Sequence, residues 1–377
     1  MEKVKIGVIG CGVVASRDIL PNLVQPEIRD KGIELVAVCD LVENRAREAM
    51  ETFRAKEMYT DYKDMLDSSD INAVFILTPI GSHYGIAINS ALACKHIYVQ
   101  KTMTTTLEEA NNLLSTVKKR GVKLVASPGQ MHNSSLRIAK EMLDKDLIGK
   151  PMWGYIFANN DGHLSDPTDP AWYYKPGGGP VYSFLVYSVT NFCWLLGSVK
   201  KVTSLSGIAI PTRFWRRKRI DVKMDDSTMI LMDFGNSIFV SAISNFCVKG
   251  VMANSALYGT KGVIRIPLSA LRSTQQTSMQ ALSFNITRKI KDWKNSLTSS
   301  KEDWVEWRPP LFSAQYRLAA PTGANIVEDI LEFIECVRHS KEPIIATGEH
   351  ARHVIEVFEK SYIAAKTGQV QTLETSF

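Results

Sequence analysis

The residues that open this chain constrain its fold more than any others. Val4–Ile9 is an apolar run of strand length that passes directly into Gly10-Cys11-Gly12-Val13-Val14-Ala15. Each small residue there has a physical task. Gly10 permits a tight strand-to-helix turn, Gly12 lets a pyrophosphate approach the backbone, and Ala15 allows close helix–strand packing. The loop Gly10, Cys11, Gly12, Val13 and Val14 then turns the free N–H groups of a helix N-terminus toward an anion. The helix is expected to run to about Leu20 and to end at Pro21. A second apolar run, Glu34–Cys39, ends at Asp40, where a βαβ unit places the acid that bonds an adenosine ribose. An acid repels a 2′-phosphate, Leu41 supplies no cation, and Arg45 lies farther along the next helix. The pattern favours NAD over NADP; a plain helix cap is the simpler role for Asp40.

The alternation continues as a helix over 44–53, a strand over 73–77, a helix over 85–93 and a strand over 97–99. A helix over 107–119 and a strand over 123–126 come next. Such alternation gives an α/β Rossmann domain, a doubly wound parallel sheet with its ligand at the strand C-termini. Three segments fall at such ends: Thr78-Pro79-Ile80-Gly81-Ser82-His83, Gln100-Lys101-Thr102 and Ser127-Pro128-Gly129-Gln130. Beyond residue 129 the pattern changes to helices over 134–143 and 182–196 among strands over 153–158, 202–209, 228–234, 238–244, 255–258 and 263–266. This predicts an α+β domain over 130–377 with an open, mostly antiparallel sheet, closed by amphipathic helices over 325–338 and 349–365. Residues 269–320 are the least regular and read as an insertion or an interface.

At 377 residues the chain suits two domains, 1–129 and 130–377. No run approaches the roughly 18–20 apolar residues of a membrane span, and the first residues lead straight into a strand without a cleavage pattern. A cytoplasmic protein without membrane attachment is expected. Cys11, Cys39, Cys94, Cys193, Cys247 and Cys336 are scattered with no Cys-x-x-Cys pair, which points to reduced thiols. The net charge of +6 is densest at Arg213-Phe214-Trp215-Arg216-Arg217-Lys218-Arg219. A solvated loop between strands is the expected reading, not a nucleic-acid surface; a partner subunit or an anionic substrate group could also meet it. His350 and His353 stand three apart without a third ligand, so no metal is expected.

Thr78-Pro79, His83, Ala91-Leu92-Ala93-Cys94-Lys95-His96 and Gln100-Lys101-Thr102 occur in one order. Gly177-Gly178-Gly179-Pro180, Leu195-Leu196-Gly197, Asp225-Asp226 and Gly259-Thr260-Lys261-Gly262 extend the series. The set resembles the glucose–fructose oxidoreductase/inositol dehydrogenase (Gfo/Idh/MocA) family over nearly the whole chain. The resemblance implies NAD-linked oxidation of a sugar, glycoside or polyol without a metal, by a homo-oligomer that pairs through its sheet. It places Thr78, Pro79, His83, Gln100 and Lys101 at the cofactor. Departures are informative. The family's Glu-Lys-Pro is Gln100-Lys101-Thr102 here. Its Asp and His beyond the triple glycine correspond to Ser183 and Tyr187, and tyrosine is a known variant at the second position.

Alcohol oxidation needs a hydride acceptor and a group that takes the hydroxyl proton. The resemblance makes Lys101 and Tyr187 the catalytic candidates. Either Tyr187 accepts the proton with Lys101 lowering its pKa, or Lys101 is itself the acceptor. Lys101, Gln130, His163, Trp172, Tyr173, Ser183 and Tyr187 are the candidate substrate residues, and the aromatic run suits a pyranose face or simple anchoring of the loop. The chain is similar to a branch that oxidises C3 of glucosides. A protein that binds NAD as a sensor or scaffold without turnover is the alternative from a different class.

Overall fold

The computed structural model describes residues 3–166, 168–248, 252–266, 282–286, 297–299, 305–307 and 326–377. They form two compact units. One holds the chain up to Gly129 together with the helix Ile326–His339 and the residues from its end to Ile355; the other holds the intervening described residues and Glu356–Phe377.

The first unit is built on six parallel strands: β1 (Val4–Ile9), β2 (Ile33–Cys39), β3 (Glu57–Tyr59), β4 (Ala73–Ile76), β5 (His96–Val99) and β6 (Leu124–Ala126). Their order is β3-β2-β1-β4-β5-β6, so the winding reverses between β1 and β4, where such sheets bind their ligands. Both faces of the sheet are covered, as an all-parallel sheet requires. On one face Phe75 stacks on Tyr98 at 4.6 Å, and Phe333 meets Phe75 edge-on at 5.2 Å. Phe333 comes from Ile326–His339, whose Ile330, Phe333 and Ile334 are buried in the same cluster as β1 and β4. That apolar stripe is why a segment so late in the chain joins the first unit. Met65, Ile86, Leu113 and Ile355 cover the opposite face.

The helix after the glycine turn does not stop at Pro21. A π-helical turn over Ala15–Ile19 leads into Leu20–Leu23, with Pro21 inside the second piece. The Leu20 N–H bonds back five residues to Ala15, and Pro21 sits near the start of the new segment, where a missing N–H is tolerated. The short elements β3 and Tyr62–Ser68 carry too little periodicity to be read from sequence.

The second unit has β7 (Pro151–Asn159), β8 (Lys201–Gly207), β9 (Thr212–Trp215), β10 (Lys218–Asp221), β11 (Ser227–Asp233), β12 (Phe239–Asn245), β13 (Met252–Gly259) and β14 (Gly262–Ile266). β15 (Leu282–Ile286), β16 (Leu297–Ser299), β17 (Val305–Trp307) and β18 (Gln371–Thr372) complete it. Among the described residues ten strands form one sheet in the order β16-β17-β15-β14-β13-β7-β12-β11-β8-β18, and β9 pairs with β10 alone. Every described pairing in the large sheet is antiparallel except β7 with β12. Alternation sorts its side chains. Thr228, Ile230 and Met232 of β11 are buried, whereas Met229 and Leu231 are 53% and 56% exposed. Leu205, Phe239 and Trp153 extend that exposed apolar set across β8, β12 and β7. The basic run expected as a solvated loop is instead the β9–β10 hairpin. Its two turn residues, Arg216 and Arg217, have φ of 46° and 68°, the left-handed geometry of a tight hairpin turn. Residues 269–320, read as irregular, lie largely outside the described residues.

Candidate active site

At the end of β1, Gly10 has φ 96°, and a Cβ there would stand 2.9 Å from the Leu77 backbone. Only glycine fits that turn. Gly12 is different: a Cβ would meet no protein atom within 4 Å. The fold leaves open space before the helix, the space a pyrophosphate requires. The Cys11 N–H donates to Asp40 Oδ2 at 2.8 Å and the Val42 N–H to Oδ1 at 2.9 Å, so the carboxylate at the β2 end is braced against the turn. Val13 and Val14 are half-buried behind it. The Cys11 thiol points to the Cys39 carbonyl, and burial pushes its pKa up to about 12. Only its backbone therefore serves the loop. Leu41 is 90% exposed beside Asp40, and Arg45 is exposed on the next helix. These residues fit a bound dinucleotide.

Strands β4, β5 and β6 stop together, with Ile76 paired to Val99 and Val99 to Ala126. Their successors therefore share one edge. His83, buried at the head of His83–Leu92, links two of them: Nε2 lies 2.7 Å from the Thr78 carbonyl and Nδ1 2.8 Å from the Thr102 carbonyl. Burial lowers its pKa, so the ring is neutral near pH 7 and donates to one carbonyl at a time. Ser82 Oγ donates toward Thr78 Oγ1 at 2.8 Å, and Pro79 is exposed between them. Gln100 bonds Tyr98 Oη through Nε2 at 3.4 Å and receives the Lys101 N–H at 3.3 Å. Lys101 is half-buried, and loss of water around its ammonium lowers its pKa from 10.5 to about 8. A lysine with that pKa exchanges protons near neutrality. The side chain of Gln130 lies outside the described residues.

In the second unit, the chain leaves β7 through Asn160, whose Oδ1 receives the Gly162 N–H at 2.8 Å. His163 comes next at φ 62° and stacks on Tyr173, with centroids 4.1 Å apart and planes 4° from parallel. Tyr173 in turn stacks on Trp172 at 3.7 Å, and Phe246 meets His163 edge-on at 5.3 Å. The result is a three-ring ladder with both Trp172 and Tyr173 half-buried. Its supports are close. Asp169 caps the turn through the Ala171 N–H, and a Cβ on Gly178 would stand 2.5 Å from the Tyr173 carbonyl oxygen. His163 Nδ1 lies 3.4 Å from Asp166 Oδ2. Ser183 is buried within a π-helical turn, Val181–Leu185, and donates to the Gly179 carbonyl at 2.5 Å. Tyr187, in the first turn of Val186–Leu196, is half-buried.

The residues that hold the ladder do not stand out in the sequence. Arg213 and Asp226 form a buried ion pair at 2.6 Å, with the guanidinium 5.2 Å from the Tyr174 ring centroid. Asp226 also receives the Ala209 N–H at 2.6 Å. The Trp215 indole donates to the Asp166 carbonyl at 3.0 Å. The Asp225-Asp226 pair is the one signal the sequence offers, but nothing in it joins that pair to Arg213. Among the described residues no group of three His, Cys, Asp or Glu could hold a metal ion, and no helix is long and apolar enough to cross a membrane.

A family model described as an oxidoreductase family with an NAD-binding Rossmann fold matches residues 4–127, and the GFO/IDH/MocA C-terminal domain model matches 136–265. The chain belongs to the Gfo/Idh/MocA family. Together the two models take in about two thirds of it, and NAD is the cofactor of the family's Rossmann domain. A relative from Bacillus subtilis, scyllo-inositol 2-dehydrogenase (NAD(+)), is 27% identical, over 83% of this chain and 81% of its own length. An inositol 2-dehydrogenase from Salmonella typhimurium is 25% identical, over 77% of this chain and 80% of its own. The fold is shared with levoglucosan dehydrogenase in complex with NADH and levoglucosan, at TM-score 0.82 and 17% identity over 99% and 100% of the two chains. It is also shared with an aldose-aldose oxidoreductase from Caulobacter crescentus, at TM-score 0.78 and 18% identity over 99% and 100%.

Proposed function

We propose that this Gfo/Idh/MocA protein oxidises a secondary hydroxyl of a sugar, glycoside or polyol with NAD, with C3 of a glucoside as the favoured position. The observation that carries the reading is Lys101: a half-buried lysine at a strand end, with a pKa brought down to about 8. Bound NAD supplies the hydride acceptor. The chain's own task is to hold the alcohol and take its proton, and Lys101 and Tyr187 are the two candidates for that acceptor. Gly10, Gly12, Asp40, Thr78 and Gln100 bind the dinucleotide. The Trp172–Tyr173–His163 ladder offers flat aromatic surface to a sugar ring. The two inositol dehydrogenases it resembles are named for a polyol, which supports the hydroxyl class; the glucoside position rests on the likeness of Gln100-Lys101-Thr102 and the segment 177–187 to one branch of the family.

The exposed apolar face of the large sheet, with Leu205, Met229, Leu231, Phe239 and Trp153, favours packing against a second copy. Cytoplasmic residence is part of the same reading. A second reading, an NAD-binding sensor without turnover, is favoured by Ser183, whose hydroxyl bonds Gly179 where the family usually carries an aspartate. NADH formation on a panel of aryl glucosides, free sugars and inositols decides between them. Turnover on any member removes the sensor reading; aryl glucosides slower than inositol remove the C3-glucoside position. Single-turnover hydride transfer in Lys101→Met and Tyr187→Phe then identifies the proton acceptor. Near-normal rates in both variants would show that neither takes the proton.

A further inference from the structure

The register of the large sheet puts Gly207, Ser227, Asn245 and Asn159 in one transverse row, each paired with the next. The β9–β10 hairpin leaves β8 and enters β11 at this row, and the segment carrying His163, Trp172 and Tyr173 leaves β7 at the same row. The two are tied together. Lys218 pairs with Asp169, Trp215 Nε1 donates to the Asp166 carbonyl at 3.0 Å, and the Lys223 N–H donates to the Tyr174 carbonyl at 2.8 Å. Arg213 lies under Tyr174 and pairs with Asp226. A basic ribbon is thus fixed as a wall beside the aromatic ladder.

Its charges do not cancel. Arg213, Lys218 and Arg219 are matched by Asp226, Asp169 and Asp221 respectively. Among the described residues no carboxylate pairs with Arg216, Arg217 or Lys223, and all three are exposed. Lys175, adjoining Tyr174, is exposed as well. Arg216 is moreover held in place, with its guanidinium carbon 4.9 Å from the centroid of the Trp215 ring. A guanidinium already stacked loses less freedom when it binds, and its donor geometry matches a carboxylate or phosphate.

We propose that Arg216 and Arg217 recognise an anionic group on the substrate, a carboxylate or phosphate borne by the sugar or glycoside. The inference rests on the sugar-oxidising reading above and narrows its substrate class. Salt should expose the interaction, because the Debye length falls from about 30 Å at 0.01 M to about 3 Å at 1 M.

The test compares a neutral glucoside, its glucuronide and its 6-phosphate by kcat/KM, and by calorimetric binding to the NAD-saturated protein, at low and high salt. At low salt one charged form should exceed the neutral one by about tenfold, the scale of a charge-assisted hydrogen bond. That ratio should fall toward one at high salt and in the Arg216→Gln/Arg217→Gln double variant. The carboxylate and phosphate arms identify the group. Turnover of the neutral glucoside with no charged preference overturns this inference and leaves the broader reading standing. Absence of turnover on all three removes the glucoside position and leaves the broader reading to the inositol and free-sugar panel, while binding still measures the preference. A preference that survives the double variant, or inorganic phosphate binding as tightly as the sugar phosphate, also overturns it.

Discussion

Replacing Lys101 by methionine should make the protein more stable near pH 7, whichever of Lys101 and Tyr187 takes the proton. The folded chain releases the Lys101 proton near pH 8, whereas in the unfolded chain the lysine keeps it to about 10.5. Between those values the unfolded state binds more protons, so this group's contribution to stability rises with pH. At about 1.4 kcal/mol per pH unit, the ammonium costs the native state about 3 kcal/mol below pH 8, a ceiling that water reaching the half-buried side chain reduces. Lys101→Met removes the cost. Urea unfolding of the two proteins from about pH 7 to 10.5 should show the variant ahead at the acid end, with its lead shrinking above pH 8 and gone near 10.5. The buried cysteines and tyrosines are common to both proteins, so their titrations cancel in the difference. A pH-independent difference, or a variant less stable at pH 7, would refute the reasoning. In the wild type, kcat/KM should rise through pH 8 if the neutral amine accepts the proton.

The two glycines of the nucleotide turn should separate in their effects. Gly12→Val should weaken NAD binding by at least tenfold in fluorescence titration, with little change in the melting temperature of the NAD-free protein, because its side chain enters open space. Gly10→Ala should instead lower that melting temperature, since its Cβ meets the Leu77 backbone at φ 96°. Asp226→Ala leaves Arg213 charged and buried, and should cost about 3–5 kcal/mol in chemical denaturation. His83, whose pKa is lowered by burial, adds stability that is present above the unfolded pKa of about 6.5 and lost as pH falls below it. The His83→Gln variant should show a flatter acid limb.

The features legible in the sequence are those that depend on neighbours along the chain. Gly10, Gly12 and Asp40 declare themselves because the turn and the acid each come directly after a strand, and the strand fixes where they point. Lys101 stands out for the same reason, two residues past the end of β5. Arg213 could not be read this way. A guanidinium in a run of basic residues looks solvated until the fold brings Asp226 and Tyr174 to it, and that pairing exists only after the hairpin has closed. The entry of Ile326–His339 into the first unit is equally nonlocal: its apolar stripe announces a buried helix but not the sheet that buries it. Pro21 shows the opposite failure, a local rule overridden by a π-helical turn.

These contrasts arise from how the two candidate surfaces are supported. In the first unit, parallel strands in register end on one edge, so the residues after β1, β2, β4 and β5 are positioned by backbone pairing, and His83 bridges the segments after β4 and β5 through two carbonyls. Such a site survives changes of side chain around it, which is consistent with Gln100 and Thr102 replacing the family's usual residues while the lysine stays. In the second unit, the His163 ladder hangs on a long excursion from β7, and side chains from another excursion hold it: Trp215 on Asp166, Lys218 on Asp169, Arg213 under Tyr174. On the reading proposed above, substitutions on the hairpin would change specificity while the cofactor edge is left as it is. On that reading, a chain that binds NAD through the turn at Gly10 and Gly12 would acquire its own substrate through the ribbon that sets its aromatic wall.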